Sequence, residues 1–471
     1  MFLTIEIEVT IMKKKVLPAS LNAINRRAFV KSSAAVVGGL VASQLPFSSA
    51  SAYYGVDDTI RIGLIGCGGR GTGAALQALS ARQNVKLVAM ADAFRDRLDE
   101  SYKNITDPEQ TEGSGGAGNV VDRVQVPEEH KFVGFDAYKQ VIPLVDVVVI
   151  ATPPGFRPYH FEAAIAADKH VFMEKPVATD PNGIRRVLET AKIAKQKKLN
   201  VVVGLQRHYQ TVYRDWVSRI HDGAIGDVIL SRVYWNSAGV WVRDRATLEK
   251  DAGRKLTEME YQMRNWYYFN WLCGDHIVEQ HIHNLDVGNW VKQGHPVRAQ
   301  GQGGREVRNG KDHGEIFDHH MVEYEYADGS RMLSQCRHIP DCMNRVTEAF
   351  HGTKGTAPAP GELLDLAGNT IAKHRDKDDP NPYQVEHDEL FAAVTAGEYK
   401  YADAENGAIA TMTAILGRMA TYSGQVVEWD DALKSTMSIM PQTFAWDANP
   451  PVMPKADGYY PVPMPGVTKV V

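Results

Sequence analysis

The sequence predicts an α/β protein with two domains: a doubly wound parallel sheet, then an α/β domain with an open, mainly antiparallel sheet. Two observations support this fold class. From residue 59 to about residue 206, short apolar strand segments alternate with helical segments, as in a parallel sheet covered on both faces. Beyond residue 206, strand segments follow each other without a helix between each pair, which favours antiparallel pairing.

The elements of the first domain are predicted from apolar runs and from the glycines that interrupt them. Strands are predicted at residues 60–65, 85–91, 145–150, 171–173 and 201–204, and helices at 73–81, 158–168 and 181–197. The strand at 145–150 is apolar almost throughout, as expected for a strand buried on both faces. A glycine-rich stretch at residues 112–118 is predicted to be a surface loop.

The second domain has fewer and longer helical segments. Strands are predicted at residues 228–235, 321–326, 332–336 and 346–350, a hairpin turn at 327–330, and helices at 277–290 and 408–423. The last thirty residues hold six prolines and little periodicity, so we expect an extended tail across the surface.

The first 52 residues have the order of an export signal: a basic segment, a short apolar segment and a small-residue cleavage site. Arg26 and Arg27 precede a weakly apolar run at residues 33–42, and Ala52 closes the small-residue site. This order resembles a twin-arginine signal, whose cargo crosses the membrane already folded. We therefore expect a periplasmic or other extracytoplasmic location. A mitochondrial-type presequence and a disordered tail are the alternatives.

Composition excludes several classes of protein. The chain of 471 residues is 44% hydrophobic, which is ordinary for a globular protein, and no apolar run is long enough for a membrane span. Its net charge of −5 without a basic block argues against nucleic-acid binding. Four scattered cysteines make neither a disulfide framework nor a zinc site. Cys336 and Cys342 are expected to be buried free thiols, with a disulfide between them as the alternative.

A dinucleotide site is predicted where the first strand meets the following helix. Gly66, Gly68 and Gly71 form the pattern G-x-G-x-x-G, in which glycines let the backbone approach a pyrophosphate at a helix N-terminus. Asp92 ends the next strand, where a carboxylate binds ribose hydroxyls and favours NAD over NADP. Arg95 and Arg97 leave NADP as an alternative, and the glycine pattern alone also fits flavin adenine dinucleotide. This first domain is therefore predicted to be a Rossmann domain.

Three further motifs point to a family. Residues 145–178 read VDVVVIATPPGFRPYHFEAAIAADKHVFMEKPVA, residues 204–208 read GLQRH, and residues 283–286 read HNLD. Together they resemble the glucose–fructose oxidoreductase, inositol dehydrogenase and rhizopine-catabolism (Gfo/Idh/MocA) family. The resemblance covers residues 59 to about 425. Together with the leader and the proline-rich C-terminus, it gives four predicted segments: an export signal at 1–52, a Rossmann domain at 53–206, a substrate and oligomerisation domain at 207–425, and a tail at 426–471.

The resemblance also assigns site residues. It implies cofactor binding by Gly66, Gly68, Gly69, Arg70, Gly71, Asp92, Thr152, Pro153, His160, Glu174, Lys175 and Gln206. Lys175, His283 and Glu279 are the expected catalytic residues, because oxidising an alcohol needs a base and a cation near the hydroxyl oxygen. Arg207, Trp266, Tyr267 and Asp286 are the expected substrate contacts, since aromatic rings stack on sugars and polar groups bind their hydroxyls.

The region around His283 departs from the family pattern. The family usually has Asp where this chain has Glu279, and often Gly where it has His281. His276, Glu279, His281 and His283 together also suggest a metal site. On a regular helix His281 would project away from the other three, so we predict no metal, and the cluster stays an open question.

The function implied is hydride transfer at a hydroxyl carbon of a sugar or cyclitol, with NAD as cofactor and NADP as the alternative. Free NAD is scarce outside the cytoplasm, so we expect the cofactor to be tightly bound. One alternative is an NAD-dependent glycosidase that acts by transient oxidation and elimination. Another is a secreted carbohydrate-binding protein without turnover. The family implies a homodimer or homotetramer formed through the C-terminal sheet.

Overall fold

The computed structural model describes residues 58–107, 120–375 and 377–471. The predicted export signal at residues 1–52 and the predicted glycine-rich loop at 112–118 lie outside the described residues. Among the described helices, none combines the length and the apolar character needed to span a membrane.

Six parallel strands form the N-terminal sheet: β1 (Ile60–Ile65), β2 (Val85–Asp92), β3 (Lys131–Val133), β4 (Val147–Ile150), β5 (His170–Met173) and β6 (Val201–Val203). The helices between them are α1 (Gly69–Leu79), α2 (Arg95–Thr106), α3 (Tyr138–Val141), α4 (Arg157–Ala166) and α5 (Pro181–Gln196). The strand order is β3-β2-β1-β4-β5-β6, which confirms the doubly wound parallel sheet. The order reverses between β1 and β4, where such sheets open a crevice for ligands.

Local sequence explains most of these elements. All four residues of β4 are buried, as its apolar run predicts. Helix α1 begins at Gly69, four residues before the predicted start, because the glycine turn already has helical geometry there. Helix α2 was not predicted, since Leu98 and Ile105 are the only apolar residues that it buries.

Nine strands form the second sheet: β7 (Val228–Ser237), β8 (Arg298–Gly304), β9 (His319–Glu325), β10 (Arg331–His338), β11 (Arg345–Gly352), β12 (Gly355–Ala359), β13 (Glu362–Asp365), β14 (Thr370–Lys373) and β15 (Val427–Glu428). Their order is β14-β13-β12-β11-β7-β10-β9-β8-β15. β7 and β10 pair in parallel and the other neighbours pair antiparallel, so the mainly antiparallel sheet is confirmed. The remaining helices are α6 (Thr211–His221), α7 (Arg245–Ala252), α8 (Glu258–Arg264), α9 (Asn270–Cys273), α10 (His276–Glu279), α11 (Ile282–Lys292), α12 (Pro382–Ala396), α13 (Ala404–Ser423) and α14 (Trp429–Lys434).

The prediction of one continuous helix at residues 277–290 is wrong. The segment is two helices, α10 and α11, interrupted at Gln280 and His281. The His281 ring bonds to Ser334 Oγ on strand β10 at 2.8 Å and to Asn284 Oδ1 at 3.3 Å. A tertiary contact with the sheet therefore competes with the regular helix, which sequence periodicity does not reveal.

The C-terminal part of the chain returns to the N-terminal sheet. Leu390 and Phe391 of α12 are fully buried in the same apolar core as Ile60 and Ile62 of β1. Residues 435–471 contain no helix or strand, and Trp446 packs on Phe135 with ring centroids 4.5 Å apart. Segments distant in sequence thus complete the core and the rim of the Rossmann domain.

Candidate active site

A cleft of about 540 Å³ lies at the carboxyl ends of the N-terminal strands. Residues directly after β1, β2, β4, β5 and β6 line one wall, and residues of α10 and α11 line the other. This is the crevice that the strand-order reversal creates, and the second domain closes it.

The glycine turn leaves space for a phosphate group. Gly66 has φ of 99°, and a Cβ there would lie 2.5 Å from the Thr152 nitrogen. A Cβ on Gly71 would lie 1.9 Å from the Gly66 oxygen, so both positions require glycine. In contrast, a Cβ on Gly68 or Gly69 would meet nothing within 4 Å. That open space faces the N-terminus of α1, which has no acidic residue in its first turn and fits a pyrophosphate.

Asp92 is placed to bind a ribose. Its carboxylate accepts hydrogen bonds from the Cys67 nitrogen at 2.7 Å and the Phe94 nitrogen at 2.9 Å, and it lines the cleft. These two bonds orient the carboxylate and leave its other lone pairs for ribose hydroxyls. Arg95 is engaged by Asp99 and Glu128, while Arg97, which lines the cleft, is engaged by Glu100. Both arginines that could bind a 2′-phosphate already have carboxylate partners.

The middle of the cleft is built from the segments after β4, β5 and β6. Thr152 Oγ1 lies 3.1 Å from His160 Nδ1, and burial lowers the pKa of His160 to about 3, so this ring is neutral. Glu174 is paired with Arg70, whose guanidinium spans the turn of the first helix. All twelve predicted cofactor residues line the cleft: Gly66, Gly68, Gly69, Arg70, Gly71, Asp92, Thr152, Pro153, His160, Glu174, Lys175 and Gln206.

Lys175, Glu279 and His283 all line the cleft. The Lys175 ammonium donates to the Glu279 main-chain oxygen at 2.6 Å and to Glu279 Oε1 at 3.1 Å. His283 is buried, and its Nδ1 has no hydrogen-bond partner among the described residues. Burial, followed by the charge of Lys175, holds the pKa of His283 well below its usual value, so the imidazole is neutral.

The four predicted substrate residues have different positions. Trp266 lines the cleft, whereas Arg207, Tyr267 and Asp286 do not contribute to its lining. Arg207 is buried and paired with Glu348. Asp286 accepts from His208 Nε2 at 2.7 Å and from Asn406 Nδ2 at 3.0 Å, so its partners come from the protein.

Several cleft residues were not predicted as site residues. Trp235, at the end of β7, stacks near His283 with ring centroids 5.9 Å apart. Trp241, Arg243 and Arg264 approach the cleft from the following segment. For Trp235, an aromatic residue near the end of a predicted strand is a weak sequence signal of a site residue. For Trp241, Arg243 and Arg264 the sequence gives no such signal, because their place at the cleft depends on how residues 238–269 fold.

The histidines that suggested a metal site are separated. His281 turns towards β10, and the grouped residues are Asp275, His276 and His320, whose possible ligand atoms lie within 4.8 Å of one another. Asp275 already accepts from the Phe317 nitrogen at 2.9 Å and His276 Nδ1 at 2.9 Å. All three residues are buried, and the Nε2 atoms of His276 and His320 have no hydrogen-bond partner among the described residues.

Comparisons with known proteins agree with this geometry. The sequence model of the family GFO_IDH_MocA, described as "Oxidoreductase family, NAD-binding Rossmann fold", matches residues 60–204. An inositol 2-dehydrogenase of Pseudomonas fluorescens is 26% identical over 79% of this chain and 96% of that protein. A glycosyl hydrolase family 109 protein of Shewanella pealeana is 28% identical, but the match covers 36% of this chain and 37% of that protein.

The fold extends the similarity beyond the Rossmann domain. The crystal structure of scyllo-inositol dehydrogenase from Lactobacillus casei, solved with NAD(H) and scyllo-inositol, superimposes with a TM-score of 0.57 at 19% identity. The superposition covers 79% of this chain and 99% of that structure. Residues 60–204 therefore match the model of an oxidoreductase family with an NAD-binding Rossmann fold, and the chain shares the two-domain fold of a solved dehydrogenase.

Proposed function

We propose that the protein is an NAD-dependent oxidoreductase that transfers hydride at a hydroxyl carbon of a sugar or cyclitol. The observation that carries this proposal is that Lys175 and His283 line the same cleft as the glycine turn. NAD, when bound, accepts the hydride at its nicotinamide ring. The inositol dehydrogenases among the relatives make cyclitols the first substrates to test.

Three residues of the chain have separate roles in the proposed acid–base chemistry. His283 is neutral and its Nδ1 has no hydrogen-bond partner in the part of the chain that the structure describes, so this nitrogen can accept the hydroxyl proton. Lys175 carries the charge that stabilises the developing oxyanion. Glu279 holds the Lys175 ammonium through two hydrogen bonds, which makes it a positioning residue in this scheme.

We also propose tight cofactor binding, because Arg264 pairs with Asp96 at 3.0 Å and joins the second domain to α2 beside the cleft.

The basic leader with Arg26 and Arg27 supports export of the folded protein. For the oligomer, a homodimer or homotetramer through the nine-stranded sheet is proposed, since Met321 of β9 is 51% exposed. Light scattering on the purified mature chain measures that state directly.

Replacement of Lys175 tests the reaction. In Lys175→Met, we expect formation of bound NADH with myo-inositol to slow by at least about 100-fold, because the oxyanion loses its cation. Stopped-flow absorbance of the nicotinamide measures the rate, and mass spectrometry of the released nucleotide checks that NAD still binds. Lys195→Met, on the exposed face of α5, is the matched control and should react like the wild type. An unchanged rate in Lys175→Met would remove this residue from the mechanism.

A further inference from the structure

A tryptophan with unusual exposure stands at the cleft. Trp241 lies in the irregular segment 238–244 that follows β7, and its side chain both lines the cleft and remains 40% exposed. Its neighbour Val242 is 39% exposed. Large aromatic side chains are usually mostly buried, so an exposed one at a cleft is a candidate for ligand contact.

The segment is held in place even though its side chains face outwards. The Tyr268 hydroxyl donates to the Val240 oxygen at 3.3 Å, and the Tyr261 hydroxyl donates to the Arg243 oxygen at 3.4 Å. The Asn265 side chain accepts from the Arg243 nitrogen at 2.9 Å. Three side chains of segment 258–269 thus fix the backbone on both sides of Trp241, which is how a preorganised binding surface is built.

Trp241, Arg243 and Trp266 form one surface, which we call the outer platform. The Trp241 and Trp266 rings meet edge to face with centroids 5.9 Å apart, and the Arg243 guanidinium lies 5.1 Å from the Trp241 ring. All three side chains line the cleft. The two indole planes are inclined at 67°, and the Arg243 guanidinium lies over the Trp241 ring. The platform therefore offers the two partners that a pyranose uses, an aromatic face for stacking and guanidinium donors for hydroxyl groups.

The outer platform lines the same cleft as the proposed catalytic residues. The Trp241 ring is 6.2 Å from the Tyr267 ring, centroid to centroid. Glu279, which accepts a hydrogen bond from Lys175, and His283 line this cleft as well. Trp235, which stacks near His283, is the separate aromatic surface for the reacting ring.

We propose that the outer platform binds a second sugar ring, so that glycosides or oligosaccharides are better substrates than free cyclitols or monosaccharides. This inference rests on the proposed oxidoreductase function. The ring whose hydroxyl carbon is oxidised lies between Lys175 and His283, and the ring joined to it through the glycosidic oxygen stacks on Trp241.

The experiment compares one-ring and two-ring substrates on the holoenzyme. The probes are myo-inositol, glucose, methyl glucoside, maltose and cellobiose, with formation of bound NADH as the signal. We expect at least one disaccharide to exceed glucose about tenfold or more in kcat/KM. Trp241→Ala should remove about tenfold of that advantage, mainly through KM, and leave the one-ring substrates unchanged. Tyr399→Ala, an exposed aromatic outside the cleft, is the matched control and should match the wild type.

Each failure has its own signature. If no probe reduces the bound cofactor, the proposed oxidoreductase function fails. If glucose is oxidised as well as both disaccharides, or Trp241→Ala slows one-ring and two-ring substrates equally, the second-ring subsite is overturned while the function stands. If Trp241→Ala loses bound NAD on gel filtration, the ring covers the cofactor and the subsite assignment is likewise wrong.

Discussion

Single residues acquire their roles from the partners that the fold supplies. Lys175 belongs to a motif that can be recognised in the sequence, at residues 145–178. Its ammonium, however, is held by Glu279, which comes from another domain. Asp286 belongs to a motif as well, yet its carboxylate is bonded to His208 and Asn406 and lies outside the cleft lining. Cys342 is exposed and Cys336 buried, so the expectation that both are buried thiols is wrong for Cys342.

Glu315 gives a residue-scale prediction about pH. Burial raises its pKa from 4.5 to about 7, so the folded protein binds a proton that the unfolded chain has lost across this interval. Stability contributed by this group is therefore largest at low pH and falls as the pH rises towards 7. In Glu315→Gln this decrease of stability with rising pH is absent, because the amide does not titrate. Relative to the variant, the wild type should lose about 3 kcal/mol of unfolding free energy over the interval.

Urea denaturation of the two proteins at about pH 5 and about pH 8 measures this difference. The comparison cancels the other titrating groups, because the two proteins share them. A constant difference between wild type and Glu315→Gln at both pH values would contradict the raised pKa.

At the scale of elements, the turn between β1 and α1 combines two kinds of glycine. Gly66 and Gly71 are required by the backbone, whereas Gly68 and Gly69 face open space. The first kind serves the fold, and the second keeps the helix N-terminus accessible to a phosphate. Sequence pattern alone treats all of them as one motif.

Gly68→Ala separates these two functions. Its φ of −76° suits alanine and the added Cβ meets nothing within 4 Å, so the unfolding midpoint should stay close to that of the wild type. The methyl group enters the phosphate space, and NAD affinity should fall by about tenfold or more. Calorimetric titration of NAD into cofactor-free protein measures the affinity. Gly294→Ala lies outside the cleft, and its Cβ would make only an ordinary contact with the Lys292 oxygen at 3.9 Å, so it should change neither property. Equal NAD affinity in Gly68→Ala and the wild type would contradict this phosphate position.

At the scale of the whole molecule, distant segments join the two domains around the cleft. Arg264 reaches Asp96 from α8 and lies 4.0 Å over the Phe94 ring. Phe94 and Phe135, which line the cleft, pack against Trp446 of the C-terminal segment. These contacts cross between domains, so opening the cleft requires breaking them.

Arg264→Ala tests this link. The exposed Asp96 limits the strength of the pair to about 0.5–1 kcal/mol, so bound NAD should dissociate about two- to fivefold faster. Dilution into buffer containing an NADH-trapping dehydrogenase follows the release. Arg254→Ala, which breaks a pair with Glu260 inside the same segment, is the control and should release NAD like the wild type. Identical release from both variants would show that the Arg264 link does not hold the cofactor.

The sequence by itself determined the parallel sheet, the glycine turn, Asp92 and the strand-end motifs after β4 and β5. Each of these depends on neighbours within a few residues, because strand periodicity and backbone geometry are local properties. The break between α10 and α11, the position of α12 and the approach of Trp235 and Trp241 to the cleft could be known only from the folded chain. Those features come from contacts between segments far apart in the chain, where the gain from packing outweighs local preference.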